Sequence, residues 1–188
     1  RWASEAASTV CLPTWIRRRI VGFDSVRGYN FDLFRCNPIS NRVCYTASEV
    51  GDFALIWHMI VAARGLRSVR DAIDAVRVAA ILGAETVLVN GVIKSFFRRT
   101  RPPWEVDRPL HVRRPLTSSF PSGHATSAVS AAMLLSQDDD WWPLYAGLAA
   151  IVATSRIYVK IHHASDVAGG VAVGLVLGTV GRRLLPTH

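Results

Sequence analysis

Apolar segments rich in small residues alternate with clusters of arginine along most of this chain. The last of these segments, residues 167–181, contains no charged side chain and is followed directly by Arg182 and Arg183. Small side chains let helices approach closely in lipid, and charged residues remain in the loops and ends. The alternation therefore predicts an all-α bundle that is embedded in a membrane.

Four further apolar segments precede this one, at residues 50–63, 72–93, 125–136 and 141–155. Most of the segments are shorter than the roughly 20 apolar residues of a simple spanning helix, so a soluble helical domain remains an alternative. Trp141 and Trp142 favour the membrane, because tryptophan gathers at the interface between lipid and water. The sequence is therefore interpreted as a multi-pass membrane bundle.

The positive charge of the chain is carried almost entirely by arginine. The net charge is +8, and Lys94 and Lys160 are the only lysines among 22 basic residues. Arginine makes planar, bidentate contacts with phosphate and tolerates partial burial. The arginines lie in short clusters between apolar segments rather than on one helix beside aromatic residues, which disfavours nucleic acid. We therefore expect a phosphorylated lipid and membrane lipids as partners, and no nucleic acid.

Residues 1–46 contain no apolar stretch that is long enough to span a bilayer. Within them, residues 11–23 combine Trp15 with an arginine triplet, a pattern typical of an interfacial amphipathic helix and equally of a plain surface helix. No repeat or linker divides the chain. We expect one domain over residues 1–188, with an interfacial N-terminal segment followed by a helical bundle at residues 47–183.

The three cysteines, Cys11, Cys36 and Cys44, lack the spacing of a zinc site and are expected to be free thiols. A disulfide between Cys36 and Cys44 stays open as an alternative if this loop faces an oxidising compartment.

Three polar stretches carry the residue types of a phosphate site: KSFFRRTRP at 94–102, PSGH at 121–124 and SRIYVKIHHASD at 155–166. If each apolar segment crosses the bilayer once, all three stretches fall on the same side. Within the first, the spacing of Lys94 and Arg101 equals two helical turns, so both would face one direction on a helix. The second predicts a helix N-terminus, with Pro121 in its first turn and Gly123 where backbone meets an anion.

The three stretches together resemble, in order and without a substitution, the signature of the type 2 phosphatidic acid phosphatase superfamily. That superfamily also contains vanadium haloperoxidases and bacterial class A acid phosphatases. The matching positions are Lys94, Arg101, Pro102, Pro121, Ser122, Gly123, His124, Ser155, Arg156, His162 and Asp166. The resemblance implies an integral membrane helical bundle with the core common to these phosphatases and haloperoxidases.

The resemblance also implies a role for each residue. His162 would be the nucleophile that forms a phosphohistidine, Asp166 would hold its tautomer, and His124 would protonate the leaving oxygen. The substrate phosphate would be bound by Lys94, Arg101, Ser122, Gly123 and Arg156. No metal and no other cofactor is expected, since three cations and a helix terminus supply the positive field.

Other polar residues are interpreted more plainly. The arginines outside the signature are expected to be solvated loop charges, of which one or two would meet lipid headgroups or a second phosphate: Arg98, Arg99, Arg108, Arg113 and Arg114. Glu85 and Asn90 are expected to form hydrogen bonds between helices, and His58 to pack. Glu49 and Asp52 lie on the active-site side, where either would orient a signature arginine.

The function expected from the resemblance is a membrane lipid phosphatase or diphosphatase. Its candidate substrates are polyprenyl diphosphates, phosphatidic acid and phosphatidylglycerol phosphate. The alternatives are a soluble acid phosphatase, a vanadate-dependent haloperoxidase and a non-catalytic binder. The resemblance favours a bacterial plasma membrane protein with an extracytoplasmic site, and the sequence makes no prediction of oligomeric state.

Overall fold

The computed structural model describes residues 13–32, 37–103, 115–137 and 140–184. Within these ranges the chain forms seven α-helices and no β-strand, so the expected all-α class is confirmed. The helices are α1 (Thr14–Asp32), α2 (Pro38–Val50), α3 (Leu55–Gly65), α4 (Val69–Val87), α5 (Gly123–Leu135), α6 (Trp142–Tyr158) and α7 (Ala164–Leu184).

Helix α5 lies at the centre of the bundle and packs against α3, α4, α6 and α7. Its alanines Ala125, Ala128 and Ala131 are inaccessible to solvent. Larger side chains of the surrounding helices, including Trp57 of α3 and Leu82 of α4, complete the core around them. Small residues on the central helix let the larger side chains of its neighbours pack closely against it.

Glycines of α7 allow its backbone to touch α5. A Cβ atom added to Gly170 would lie 2.5 Å from the Ser122 carbonyl oxygen, and one added to Gly174 would lie 2.7 Å from that of Thr126. The Ser130 hydroxyl donates a hydrogen bond of 3.1 Å to the Gly174 carbonyl across the same interface. This contact fixes the start of α7 against the start of α5.

The two ends of the bundle differ in chemistry. At one end, Arg64 donates a hydrogen bond of 2.8 Å to the Leu135 carbonyl, which joins the C-terminal ends of α3 and α5. The N-terminal ends of α5 and α7 lie at the other end, where all three polar stretches meet, as the count of crossings predicts.

Among the residues that the structure describes, two helical segments are long and apolar enough to cross a membrane by length and composition: Val69–Phe96 and Ala164–Leu184. The first comprises α4 with a π-helical turn, Leu88–Val92, and a 3₁₀ turn, Ile93–Phe96. Helix α3 is apolar but has only 11 residues.

The N-terminal part is more closely joined to the bundle than the sequence indicates. Helix α1 contacts α6 and α7, and α2 packs along α6. The boundary expected between residues 46 and 47 falls inside α2, which is begun by the Asn37 side chain and Pro38 and continues to Val50. Residues 1–12 and Cys36 lie outside the described residues, so the alternative of a Cys36–Cys44 disulfide stays a prediction.

Candidate active site

The structure brings the eight candidate site residues together at one end of the bundle. Lys94 lies on the 3₁₀ turn after α4, Arg156 lies near the end of α6, and His162 lies in the turn before α7. Ser122 and Gly123 begin α5, with His124 in its first turn. Asp166 belongs to the first turn of α7. Residues far apart in the sequence therefore share one site.

The surroundings of His162 determine which ring nitrogen is free to react. Arg101 donates a hydrogen bond of 3.0 Å to Nε2. Because arginine is always a donor, Nε2 accepts and the ring hydrogen resides on Nδ1. Nδ1 faces Asp166 Oδ2 at 3.7 Å, an electrostatic contact longer than a hydrogen bond. The lone pair of Nε2 is thus directed towards the cationic side of the site.

Burial keeps this imidazole neutral. His162 is 3% exposed, and burial lowers its pKa to about 3, helped by the charges of Arg101 and Arg156 and opposed by Asp166. A neutral imidazole retains the lone pair that a nucleophile requires, so the state of His162 is compatible with such a role.

Asp166 is inaccessible to solvent, and its two oxygens have separate partners. Arg99 donates to Oδ1 at 2.6 Å. The Ser119 hydroxyl and the backbone N–H of His163 donate to Oδ2 at 2.5 Å and 2.8 Å. Several donors stabilise the carboxylate form, so Asp166 presents a fixed negative charge to His162.

Helical spacing does not explain how Arg101 reaches the site, and that interpretation is corrected. The helix that carries Lys94 ends at Phe96, and Phe97 has extended backbone angles, φ −121° and ψ 131°. Arg101 is held instead by hydrogen bonds to backbone carbonyls, those of Thr117, Ser118 and Ile161. Lys94 and Arg101 therefore converge through tertiary contacts.

Arg99 corrects a second interpretation, since it is not a solvated loop charge. In an extended segment alternate residues share a face, so Arg99 points inward with Arg101 while Arg98 is exposed. Arg99 donates to Asp24, Ser165 and Asp166, each within 2.7 Å. The i, i+2 spacing of Arg99 and Arg101 indicates a shared face only if the segment is extended, and the interpretation of this segment as a helix hid that relation. Arg108, Arg113 and Arg114 lie outside the described residues.

The cationic side of the site has the features of an anion cradle. Lys94 is 6% exposed and Arg156 is 1% exposed. The Ser122 hydroxyl and Arg156 Nε are buried donors that have no hydrogen-bond partner in the described part of the chain. A Cβ atom added to Gly123 would lie 3.3 Å from Asn90 Oδ1 and 3.7 Å from Lys94 Nζ, so a side chain there would occupy space beside both groups. Buried donors of this kind call for a ligand.

The start of this helix differs slightly from the sequence-based expectation. Helix α5 begins at Gly123 with Ser122 as its N-cap residue, so Pro121 precedes the helix and does not occupy its first turn. The unpaired N–H groups that attract an anion therefore begin at Gly123, directly before His124.

His124 is held on the opposite side by groups that the sequence did not assign to it. Its Nε2 lies 3.0 Å from Asp52 Oδ1 and 3.2 Å from the Ser48 carbonyl oxygen. Both neighbours are acceptors, so Nε2 carries the hydrogen. Asp52 therefore contacts a histidine, and its carboxylate charge also favours the cationic form of the signature residue Arg156. Arg156 is bound by the Ser48 carbonyl and hydroxyl, a residue that no sequence pattern indicated.

Other polar residues occupy less central positions. Glu85 is buried beside Ser130 of α5, which agrees with a contact between helices. His58 contacts the Ala54 carbonyl through Nδ1 at 2.9 Å, and Glu49 is exposed. Asn90 donates to the Thr86 carbonyl, and its Oδ1 would lie 3.3 Å from a Cβ atom at Gly123. Asn90 thus lies beside the first residue of α5, at the edge of the cradle, while its amide group donates within its own helix.

Comparisons with known proteins agree with this geometry. A family model described as the PAP2 superfamily matches residues 74–188. The decaprenylphosphoryl-5-phosphoribose phosphatase of Mycobacterium tuberculosis (strain CDC 1551 / Oshkosh) is 38% identical over 106 residues, which cover 53% of this chain and 57% of that protein. The phosphatidylglycerophosphatase B of Bacillus subtilis (strain 168) is 29% identical over 153 residues, 74% of this chain and 72% of that protein.

A solved structure has the same fold. The crystal structure of a transmembrane PAP2 type phosphatidylglycerolphosphate phosphatase from Bacillus subtilis superposes with a TM-score of 0.68 at 24% identity. The match covers 88% of this chain and 86% of that one. The chain spans little more than half the length of the mycobacterial relative, so the likeness of the bundle extends further than that of the sequence.

Proposed function

Because the chain belongs to the PAP2 superfamily, we propose that it is a membrane phosphatase that hydrolyses a phosphate ester or diphosphate of a lipid. One observation carries the proposal: a neutral, buried histidine directs its unprotonated nitrogen, which accepts a hydrogen bond from Arg101, towards a cradle of buried cations and unpartnered donors. Such an arrangement suits attack on a phosphoryl group.

In the first step, the lone pair of His162 Nε2 attacks phosphorus and forms the P–N bond of a phosphohistidine. The bond between phosphorus and the lipid oxygen breaks, and the imidazolium form of His124 donates a proton to that oxygen. Burial and the charge of Arg156 lower the pKa of His124 to about 4, whereas Asp52 and the Ser48 carbonyl favour the imidazolium form. Asp166 stabilises the positive charge that develops on the imidazole, since the ring hydrogen on Nδ1 faces its carboxylate.

In the second step, a water molecule attacks the phosphohistidine and gives a proton to His124. The P–N bond breaks, which releases inorganic phosphate and restores neutral His162. Throughout, Lys94, Arg101 and Arg156 neutralise the phosphoryl oxygens, while Ser122 and the N–H groups that begin α5 donate hydrogen bonds to them. These groups supply the positive field, so the reaction needs no metal.

A groove beside α5 supports a lipid substrate. A cavity of about 520 Å³ lies between α5, α6 and α7, with walls formed mainly by Ala146, Ala149, Ala150, Ala153, Val129 and Val171. Its inner end reaches Ala153 and Val171, which pack in the same cluster as Ala125, the neighbour of His124. A hydrocarbon chain in this groove would stay in apolar surroundings while its phosphate enters the site.

We further propose that the chain resides in a bacterial plasma membrane, with the site on the extracytoplasmic side. Two segments of spanning length, exposed Trp141 and Trp142, and a closing arginine pair support insertion in a bilayer. The sidedness is tested by labelling Cys44 with an impermeant thiol reagent in intact cells.

The proposal is tested by phosphate release from purified protein in detergent with EDTA. The substrates are a polyprenyl diphosphate, phosphatidic acid, phosphatidylglycerol phosphate and a water-soluble phosphate ester, with His162→Ala as the control. We expect release from at least one lipid that persists in EDTA and is abolished in the variant. Release that requires a metal, or that survives the loss of His162, would refute the mechanism.

The same assay tests the groove. Ala150→Trp would fill it, whereas Ile151→Trp changes the adjacent residue, which does not line it. We expect Ala150→Trp to raise KM for a long-chain lipid roughly tenfold, with no comparable change for the soluble ester. Equal effects of the two variants on the lipid would place the hydrocarbon chain elsewhere.

A further inference from the structure

Three charged residues from three parts of the chain form a continuous buried row behind the nucleophile. Asp24 of α1 accepts from Arg99 Nη2 at 2.6 Å, and Arg99 Nη1 donates to Asp166 Oδ1 at 2.6 Å. The exposed fractions of the three side chains are 9%, 12% and 0%. Buried charges persist when they are paired, so each member of this row depends on the others.

The row controls the orientation of the Asp166 carboxylate. Arg99 holds Oδ1, so Oδ2 is the oxygen that faces Nδ1 of His162. A carboxylate bound through Oδ1 cannot rotate about its χ2 angle without breaking that bond. The direction of the negative charge towards the nucleophile is therefore determined by the position of Arg99.

Asp24 in turn determines the position of Arg99. Its Oδ2 accepts from Arg99 and from the Ser165 hydroxyl, and its Oδ1 accepts from the Ser165 backbone N–H at 2.8 Å. Ser165 also accepts from Arg99 Nη1 at 2.7 Å. Both terminal nitrogens of Arg99 are thus bound by protein oxygens, so Arg99 acts on Asp166 and does not reach into the phosphate cradle.

From this geometry we propose that Asp24 and Arg99 are positioning residues for the Asp166–His162 pair. The proposal rests on the proposed phosphatase function and adds helix α1 to the catalytic unit. Because neither residue touches substrate, their loss lowers kcat and leaves KM nearly unchanged. Supporting groups of this kind, around metal sites, typically change activity about 10- to 100-fold.

The variants are Asp24→Asn, Arg99→Met and Arg99→Lys, with Arg98→Met as the matched control from the same segment. We expect Asp24→Asn and Arg99→Met to lower kcat about 10- to 100-fold, with KM within about twofold of wild type. Arg99→Lys should restore part of kcat, since it returns the charge. Arg98 is exposed, so its variant should keep wild-type values. Melting temperatures in detergent identify variants that fail to fold.

A purely structural role would give a different pattern. In an Asp166→Asn background there is no carboxylate for Arg99 and Asp24 to orient towards His162. Adding Asp24→Asn should therefore lower kcat by less than about twofold. If Asp24→Asn lowers kcat as much in the Asp166→Asn background as in the wild type, the proposal is overturned. It is also overturned if the effect of Asp24→Asn on kcat follows a fall in melting temperature and KM changes by a similar factor.

Affinity for orthovanadate separates this proposal from the phosphatase function. Vanadate imitates the transferred phosphoryl group, so its binding reports the alignment of His162 without turnover. Asp24→Asn should weaken vanadate binding at least about tenfold, and Arg98→Met should not. A wild-type protein that binds vanadate but hydrolyses no lipid would refute the proposed function. In that case, the ratio of the vanadate affinities of wild type and Asp24→Asn would still test the positioning role of Asp24 and Arg99. No vanadate binding by the wild type would refute both.

Discussion

The site contains two pairs of an aspartate and a histidine, Asp166–His162 and Asp52–His124, and their aspartates differ in burial and in the number of groups that hold them. Asp166 is inaccessible to solvent, belongs to the first turn of α7 and accepts from Arg99, Ser119 and His163. The Asp52 side chain is 33% exposed and lies on the three-residue helix Asp52–Ala54. That helix ends at Ala54, whose φ of 57° is a left-handed conformation that a non-glycine residue seldom adopts.

The contrast matches the different tasks that we propose for the two histidines. The nucleophile must meet phosphorus with one geometry, and rigid surroundings provide it. The acid must serve a leaving group that enters and departs, and a partly open edge allows this. Changes on the Asp166 side should therefore cost much more activity than changes on the Asp52 side.

The largest effect is expected from Asp166→Asn. An amide can present its NH₂ group to His162 Nδ1 and favour the wrong tautomer, which removes the lone pair from Nε2. We expect kcat to fall roughly 10³-fold or more, by analogy with the aspartate of serine protease triads. Single-turnover measurements with a lipid substrate would check this, and a loss below about tenfold would contradict a tautomer-holding role.

A smaller effect is expected from Gly51→Ala, which acts on the His124 side by steric contact alone. A Cβ atom at position 51 would lie 2.7 Å from His124 Cδ2 and 3.1 Å from Val152 Cγ1, so the imidazole must shift. We expect kcat to fall about tenfold, because small displacements of a catalytic group are costly. Gly147→Ala is the control, since a Cβ atom there meets nothing within 4 Å.

Asp52→Asn should have a weaker effect. The contact of His124 with a carboxylate that is one-third exposed contributes at most about 1 kcal/mol, so kcat should fall by no more than about fivefold. The loss should be greater for a lipid alkoxide, which needs a proton, than for an aryl phosphate, whose leaving group needs little protonation. Equal losses for both substrates would mean that Asp52 does not act through His124.

The last prediction concerns stability in acid rather than activity. The folded protein resists protonation of His162, whose pKa is lowered to about 3, whereas the unfolded chain binds a proton near pH 6.5. The stabilising contribution is therefore complete above about pH 6.5 and is lost as the pH falls from there towards 3. Below about pH 6.5 the wild type should lose about 1 kcal/mol more per pH unit than His162→Gln.

Thermal denaturation in detergent at about pH 7.5 and about pH 5 would check this expectation. Both proteins should be measured in the same detergent, so that other acid-sensitive groups cancel in the difference. Equal losses in the two proteins would contradict a buried, neutral His162.

Much of the fold and of the candidate site could be predicted because the relevant patterns are local. Runs of small apolar residues predicted the central helices, and three short stretches predicted that Lys94, Ser122, Arg156 and His162 would meet at one end. Errors arose where a helical period was assumed to continue past Phe96, up to Arg101. The chain becomes extended after Phe96, and that change reverses the interpretation of Arg99 from solvated to buried.

The sequence by itself determined the helical class and the residue types of the proposed phosphate cradle, because hydrophobic periodicity and clusters of phosphate-binding residue types both occur within short segments. The tertiary structure decided the partners of the reacting groups. Asp24 and Arg99 are 75 residues apart, and Ser48 and Arg156 are 108 apart. No local pattern encodes such pairs, since each forms only when the packing of α1 and α2 against α6 and α7 brings two buried polar groups within hydrogen-bond distance.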